Sequence, residues 1–270
     1  MLKKIAMALP LFWAIADVCC AKVLIITHAY NRPDFIEMQY LTFHKYLQDE
    51  YEFIVFNDAP PGATRVAIKE ACQDLGVSCI PIPTEIHVNT AGISERHSET
   101  IQYSLDVLGY HYEGIVAFFD SDLFLVRPLS IENLMDGFDV VSAYRLGVWG
   151  QGVHLKYFWP GLCFLRMNAL PNRQSLNFNN GLIDGYTVDT GGYTYHYLQE
   201  NPIRVKFLDQ FPFRFHHEEV GCNAMEQLVL HSGAEFAYNR YFLHMGAASY
   251  EQSPIKSLAV KQFISSVLEP

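Results

Sequence analysis

The chain has 270 residues, half of them hydrophobic, and its formal net charge at pH 7 is −10. Aromatic residues make up 14% of the chain, which is typical of a globular protein and argues against an intrinsically disordered one. The acidic balance argues against binding to the phosphate backbone of nucleic acids, so we expect no nucleic-acid partner.

The first 21 residues have the pattern of a targeting segment. Lys3 and Lys4 precede the apolar run 5–16, and Cys19, Cys20 and Ala21 supply small residues for cleavage. The apolar run is shorter than the roughly 20 residues that a transmembrane helix needs. We predict a signal peptide; an uncleaved membrane anchor and a segment packed on the domain are the alternatives. A leader or anchor implies the secretory pathway or membrane association, whereas an unprocessed segment leaves the protein in the cytoplasm.

Residues 22–120 alternate between strand and helix patterns. Apolar runs predict strands at 23–27, 53–56, 78–82 and 115–119. A helix is predicted between each pair of strands. The first has apolar residues at helical spacing, Ile36, Tyr40, Phe43 and Leu47, and the second ends at Leu75, before Gly76. The third has Ser94 as its predicted N-cap and Ile101, Leu105 and Leu108 on one face. This order predicts an α/β fold with a mainly parallel, Rossmann-like central sheet flanked by helices.

The second half of the chain has a less regular pattern. Short strands are expected at 138–142, 162–165, 205–208, 236–238 and 241–244, and a helix at 193–198. Because no linker rich in Pro, Gly or Ser interrupts the chain, we expect residues 22–270 to form a single domain with an elaborated C-terminal half.

Two carboxylates, Asp120 and Asp122, directly follow the fourth predicted strand. Residues two apart on an extended strand point to the same side, so both can face one ion. Carboxylate oxygens coordinate Mg²⁺ or Mn²⁺. Proteins with parallel sheets bind their substrates and cofactors at the carboxyl ends of the strands. A pair of solvated turn carboxylates is the alternative.

At these positions the chain resembles the GT-A-fold, DxD-containing glycosyltransferases that use nucleotide sugars. FFDSDLFLVRP resembles the DxD region, ITHAYNRP and VFNDA the nucleotide-binding strand ends, and SERHSETIQYSLD the helix before DxD. FWPGLCFLRMNALP resembles a strand that walls the donor sugar, and FLHMGAASY a loop that closes on metal and diphosphate. The resemblance covers about residues 22–250, and the order and spacing of the stretches carry it.

The resemblance implies a metal-dependent transfer of a sugar from a nucleoside diphosphate to an acceptor. The expected cofactor is Mn²⁺ or Mg²⁺, held directly by Asp122, with Asp120 holding the ion, the ribose or a water. His244 is the expected third ligand, and Gly246 permits close approach to phosphate. A core or surface histidine is the alternative for His244. The acceptor is a glycan, protein or lipid that the sequence does not identify.

Further residues are candidates for binding the donor. Nucleotide contacts are expected from Thr27, Tyr30, Asn31, Arg32, Asp58 and His97. Of these residues, Tyr30 is expected to stack on the base, Asp58 to accept a hydrogen bond from a base N–H, and Arg32 to pair with a phosphate. The alternatives are ordinary turns at 31–33 and 58–60, and a helix-face position for His97.

Asp189, followed by Gly191 and Gly192, is the candidate catalytic residue. The glycines let backbone approach a sugar, and Asp189 accepts sugar hydroxyls or acts as a base. A helix N-cap is the alternative role for Asp189. Trp159 is either a platform for a sugar ring or a core tryptophan.

Two other functions fit parts of the pattern. A sugar-nucleotide nucleotidyltransferase shares the fold, but ITHAYNRP lacks the glycine-rich signature expected after its first strand. A catalytically inactive, secreted carbohydrate-binding module is the other alternative. A haloacid-dehalogenase-type phosphohydrolase is disfavoured, because Phe124 stands where its motif needs Thr or Val.

Overall fold

The structure is a computed structural model that describes residues 22–87, 92–147, 155–213, 235–238, 241–246 and 254–269. The predicted leader, residues 1–21, lies outside the described residues. None of the described helices has the length and apolar character needed to cross a membrane. The helices are α1 (Pro33–Tyr46), α2 (Ala63–Leu75), α3 (Ile93–Val107), α4 (Ile131–Leu134), α5 (Thr194–Glu200) and α6 (Pro254–Leu268).

The strands form one large sheet and two smaller ones. In chain order they are β1 (Val23–Ala29), β2 (Tyr51–Asn57), β3 (Ser78–Pro81), β4 (Ile115–Asp120), β5 (Leu123–Leu125), β6 (Val140–Gly147), β7 (Leu155–Arg166), β8 (Gly181–Ile183), β9 (Tyr186–Val188), β10 (Val205–Phe207), β11 (Gln210–Phe213), β12 (Glu235–Tyr238) and β13 (Phe242–His244). The large sheet has the order β10-β6-β7-β4-β1-β2-β3. Only β7 runs antiparallel to its neighbours in that sheet, so the predicted mainly parallel α/β fold is confirmed.

Apolar residues cover both faces of the central strands. Along β1, Val23 and Ile25 face the helices α1 and α2, whereas Leu24 and Ile26 face α3. All seven residues of β1 are buried. Strands covered by helices on both faces need continuous apolar runs, which is why β1, β2 and β4 were recognisable in the sequence.

Two predicted helix ends have different outcomes. Helix α2 stops at Gly76, whose φ of 68° is left-handed and whose N–H bonds to the last turn, as predicted. The predicted N-cap at Ser94 is wrong. Helix α3 begins at Ile93 with Gly92 as its N-cap, two residues before the predicted cap, and the Ser94 hydroxyl donates to the Asp189 carboxylate.

Directly after β4, the chain enters a second sheet, which has four antiparallel strands in the order β11-β12-β13-β5. Asp120 ends β4 in the large sheet and Leu123 starts β5 in the small one. Asp120 is thus the last residue of a strand and Asp122 lies in the turn between the two sheets, so the two aspartates do not share one extended strand as predicted. Strand β13 pairs with β5 so that His244 is opposite Leu123.

The C-terminal helix α6 is attached to α1 by an ion-pair network. Asp34 accepts hydrogen bonds from Arg32 at 2.8 and 2.9 Å, and its carboxylate lies 2.8 Å from the ammonium of Lys261 on α6. Arg32 also donates to the hydroxyl of Ser257, at 2.8 Å. The network joins segments more than 200 residues apart.

The Asp34 network predicts a pH-dependent contribution to stability. Burial raises the pKa of Asp34, but hydrogen bonds and charges from Arg32 and Lys261 outweigh it and lower that pKa to about 2, below its usual 3.8. A carboxylate with a lowered folded-state pKa stabilises the fold above about pH 4 and loses that effect as the pH falls towards 2. We expect Asp34→Asn to lower the free energy of unfolding by about 1 kcal/mol at pH 6, discounted for partial exposure, and by less at lower pH.

Urea denaturation of both proteins between pH 3 and pH 7 measures this difference. Asp74→Asn, at an exposed position on α2, is the matched control. A difference between wild type and Asp34→Asn that stays constant across this range would show that the network does not set the pH dependence.

Candidate active site

The turn between β4 and β5 is held in place from α1. Gln39 is fully buried, and its amide nitrogen donates to the backbone oxygens of Asp120 and Leu123, each at 2.8 Å. The N–H of Met245 donates to the backbone oxygen of Asp122 at 2.9 Å. These bonds fix the turn on both sides, so the direction of the two carboxylates is set by neighbouring elements.

Asp120, Asp122 and His244 converge at this turn. One ligand atom from each lies within 4.8 Å of the others. His244 Nε2 is 3.2 Å from Asp122 Oδ1 and 4.0 Å from Asp120 Oδ2. Asp122 and His244 are buried, which makes isolated charges costly there and favours a bound cation between the carboxylates. Two carboxylates and an imidazole suit Mn²⁺ or Mg²⁺.

Trp159 and Gly161 on β7 shape one side of this metal triad, defined here as Asp120, Asp122 and His244. The indole ring lies 4.8 Å from the imidazole of His244 and is only 4% exposed. A Cβ at Gly161 would overlap the indole and lie 2.6 Å from Asp120 Oδ2, so glycine is required here for close approach. The burial of Trp159 beside His244 favours the core position over the sugar platform, the two alternatives for this residue, and a contact with a sugar stays a prediction.

Two histidines stand on the opposite side of the triad. His97 Nε2 lies 3.2 Å from Asp120 Oδ1. Burial lowers the pKa of His97, but the charge and hydrogen bond of Asp120, with smaller effects of Asp189 and Asp122, raise that pKa above its usual value. Burial, and then the neighbouring His97, hold the pKa of His28 well below its usual value. The imidazole of His28 bonds to Ser104 at 2.9 Å and completes the wall behind His97.

Asp189 is exposed and lies close enough to His97 for its charge to raise that residue's pKa. Its carboxylate accepts from the Ser94 hydroxyl and, at 2.8 Å, from the N–H of Thr190. Helix α5 begins only at Thr194, after Tyr193 as N-cap, so Asp189 does not cap it. The structure therefore brings Asp189 near His97, which contacts Asp120 of the triad.

The glycines after Asp189 allow a close backbone crossing. Gly191 has a φ of 88°, and a Cβ there would meet the backbone oxygen of Phe158 and Pro160. Gly192 packs in the same way against Val188. These contacts are with protein, so the structure explains the glycines by packing, and a contact with a sugar stays a prediction.

Asp58 is engaged within the protein. Its carboxylate accepts two bonds from Arg96, at 2.8 and 2.9 Å, and contacts His87 Nε2 at 2.7 Å. His87 also contacts Glu99 at 3.0 Å. Because both carboxylate oxygens are already paired, the expected acceptor role towards a nucleobase gains no support.

The other residues expected to contact the nucleotide differ in their exposure and in the partners they already have. Tyr30 is 38% exposed, with the Arg96 guanidinium 5.0 Å from its ring centroid, so one candidate ring is accessible for stacking. Thr27 is fully buried and Arg32 is held by Asp34 and Ser257, which argues against the expected contacts of both. Asn31 is half-buried beside Tyr30. Gly246, with a φ of 67°, follows the triad strand β13.

Gln39, Ser94 and Gly161 shape the site without having been recognised from the sequence. Each lies against a residue far away in the chain: Gln39 and Gly161 against Asp120, and Ser94 against Asp189. A glutamine inside an apolar helix face was the one visible signal, since a buried amide needs hydrogen-bond partners.

Gln39→Met is expected to loosen the turn that carries the aspartates. The change removes two buried hydrogen bonds and leaves the carbonyls of Asp120 and Leu123 unpaired, which costs about 2 kcal/mol of unfolding free energy. We also expect Mn²⁺ to bind several-fold more weakly, because the carboxylates are no longer held together. Urea denaturation and Mn²⁺ titration measure the two effects.

Gln48→Met, at an exposed glutamine that follows α1, is the control and should change stability by less than about 0.5 kcal/mol. If Gln39→Met matched wild type in both measurements, the turn would be held by its other contacts alone.

No family model matches the chain, and no curated protein matches it. Among solved structures, the chain is similar to the mannosyltransferase PcManGT from Pyrobaculum calidifontis, in complex with GDP-Man and Mn²⁺. The identity is 15%, over 69% of this chain and 54% of that one, with a TM-score of 0.43.

Two further solved structures are similar. The apo-form glycosyltransferase GlyE of Streptococcus pneumoniae TIGR4 has 13% identity over 92% of this chain and 62% of that one, with a TM-score of 0.46. The galactosyltransferase LgtC, in complex with donor and acceptor sugar analogs, has 17% identity over 54% and 58%, with a TM-score of 0.37. The chain spans less than two thirds of the length of each of these three proteins.

Proposed function

We propose that the protein is a metal-dependent glycosyltransferase that moves a sugar from a nucleoside-diphosphate donor to an acceptor. The observation that carries the proposal is the convergence of Asp120, Asp122 and His244 within 4.8 Å, at the carboxyl edge of a mainly parallel sheet. This edge is where α/β sheets bind their ligands, and this donor set suits a divalent ion that also binds phosphate oxygens.

The residues of the cleft have distinct roles in this proposal. Asp122 and His244 hold the ion, and Asp120 binds it directly or through water, in competition with His97. A bound Mn²⁺ or Mg²⁺ stabilises the negative charge that develops on the leaving diphosphate. Asp122 and His244 are buried, so an ion held between them would be shielded from bulk water and would act on that charge more strongly.

Asp189 is proposed to act on the sugar side of the cleft. Its carboxylate is exposed, and it is held in place by Ser94 and Thr190 N–H, so it is pre-positioned to accept a hydrogen bond from a sugar hydroxyl or a proton from the acceptor.

Donor turnover tests the proposal without knowledge of the acceptor. The full chain is incubated with a panel of UDP- and GDP-sugars, with Mn²⁺, with Mg²⁺ and with EDTA, and release of UDP or GDP is measured. We expect release from one donor only in the presence of metal, with water serving as a poor acceptor. Binding of a free sugar without metal and without nucleotide release would favour the inactive carbohydrate-binding module. Release of pyrophosphate from a nucleoside triphosphate and a sugar phosphate would favour the nucleotidyltransferase.

A further inference from the structure

The donor of the proposed reaction carries more negative charge than one divalent ion offsets. A positively charged side chain is therefore expected beside the metal. Residues 245–250, which follow His244, contain no lysine or arginine. Arg32 is held by Asp34 and Arg96 by Asp58, so neither guanidinium is available without breaking an existing pair.

Arg145 is an arginine that contacts Trp159. It is located near the end of β6, opposite Tyr157 on β7. Its guanidinium carbon is 4.7 Å from the centroid of the Trp159 ring, and that ring is 4.8 Å from the imidazole of His244. Two direct contacts thus connect the guanidinium to the metal triad.

Among the residues that the structure describes, the guanidinium of Arg145 is only partly satisfied. Across these ranges its buried Nε has no hydrogen-bond partner, and no carboxylate lies within 4.0 Å of the guanidinium. An unpaired buried donor is costly unless a ligand or water completes it. Stacking on Trp159 holds the planar group in one orientation, which reduces the entropy lost when a ligand binds.

The charge of Arg145 also reaches the sugar side of the cleft. Burial raises the pKa of the Tyr157 hydroxyl, and the charge of Arg145 opposes that rise. The same hydroxyl accepts a hydrogen bond from the N–H of Asp189, at 3.1 Å. Tyr157, which is opposite Arg145 in the pairing of β6 with β7, therefore connects the position of Arg145 to Asp189.

We infer that Arg145 binds a phosphate group of the donor, as the protein's own cation beside the metal ion. The inference rests on the proposed function. A guanidinium presents its N–H groups as a planar fork that matches two phosphate oxygens, whereas the metal triad contributes oxygen and nitrogen ligands to the ion. The unpaired Nε and its neighbouring nitrogen supply that fork.

Binding of nucleotides to the full chain tests the inference. Calorimetry with Mn²⁺ gives the Kd of wild type for UDP and for GDP, and the one that binds is used with its nucleoside on every variant. Arg145→Gln is expected to weaken binding of the diphosphate roughly 10- to 100-fold and to leave the nucleoside unchanged. Arg145→Lys keeps the charge but loses the fork, so it should fall between Arg145→Gln and wild type.

Arg127→Gln is the matched control, because Arg127 is exposed and follows β5 on the far side of the turn. It should bind the diphosphate as wild type does. If Arg145→Gln also binds the diphosphate as wild type does, the inference is wrong. The inference is also wrong if the change weakens binding of a nucleotide sugar but not of the diphosphate, because the guanidinium would then contact a carboxylate or hydroxyl of the sugar. If wild type binds neither diphosphate, the proposed function fails first.

Discussion

Asp122→Asn is expected to reduce metal-dependent release of nucleoside diphosphate by about 10³-fold. The side chain keeps its size, but it loses the charge that holds the ion beside His244, 3.2 Å away. The ion stabilises the leaving diphosphate, so its loss removes several kcal/mol from the stabilisation of the transition state. Release of UDP or GDP from the donor that wild type turns over, with Mn²⁺ in excess, is the readout.

Asp136→Asn makes the same change at an exposed position that follows α4, and it should keep wild-type activity. Thermal unfolding of both variants checks that the fold is intact. A variant Asp122→Asn that is folded and retains full Mn²⁺-dependent turnover would remove the metal triad from the mechanism.

Asp58→Ala is expected to have the largest effect on stability. The change leaves the guanidinium of Arg96 and the ring of His87 without their shared carboxylate, at a position where Asp58 and His87 are almost fully buried. Removal of one partner from a buried pair costs about 3 kcal/mol, because the other charge stays desolvated. Urea denaturation measures the loss in unfolding free energy.

The double variant Asp58→Ala/Arg96→Met separates the pair from the cavity that alanine leaves. Arg96→Met removes the stranded charge, so the double variant should be more stable than Asp58→Ala alone. A double variant that is less stable by the sum of the two single losses would show that Asp58 and Arg96 contribute independently.

The apolar runs made the central sheet predictable. The strands β1, β2 and β4 are buried on both faces, and their continuous hydrophobic stretches mark them in the sequence. The aspartate pair was recognisable because it interrupts such a stretch. Both signals are local, and a single sequence carries them without knowledge of the fold.

Long-range pairing was not predictable from the sequence. The pairing of β5 with β13 joins residues about 120 positions apart and takes the chain out of the large sheet directly after Asp120, which no periodicity records. Arg32 and Asp58 were expected to bind a nucleotide because they follow strand ends, but Asp34, Ser257, Arg96 and His87 hold them instead. Charged residues at such an edge serve either a ligand or the protein, and only the structure separates the two.

The interaction of a nucleoside diphosphate with the metal triad tests the central claim most directly. We would titrate UDP and GDP into the full chain by calorimetry, each with Mn²⁺ and with EDTA, and repeat the series with Asp122→Asn. The account predicts that one diphosphate binds wild type only with Mn²⁺ and does not bind Asp122→Asn. A diphosphate that binds equally well with EDTA, or to both proteins, would contradict it.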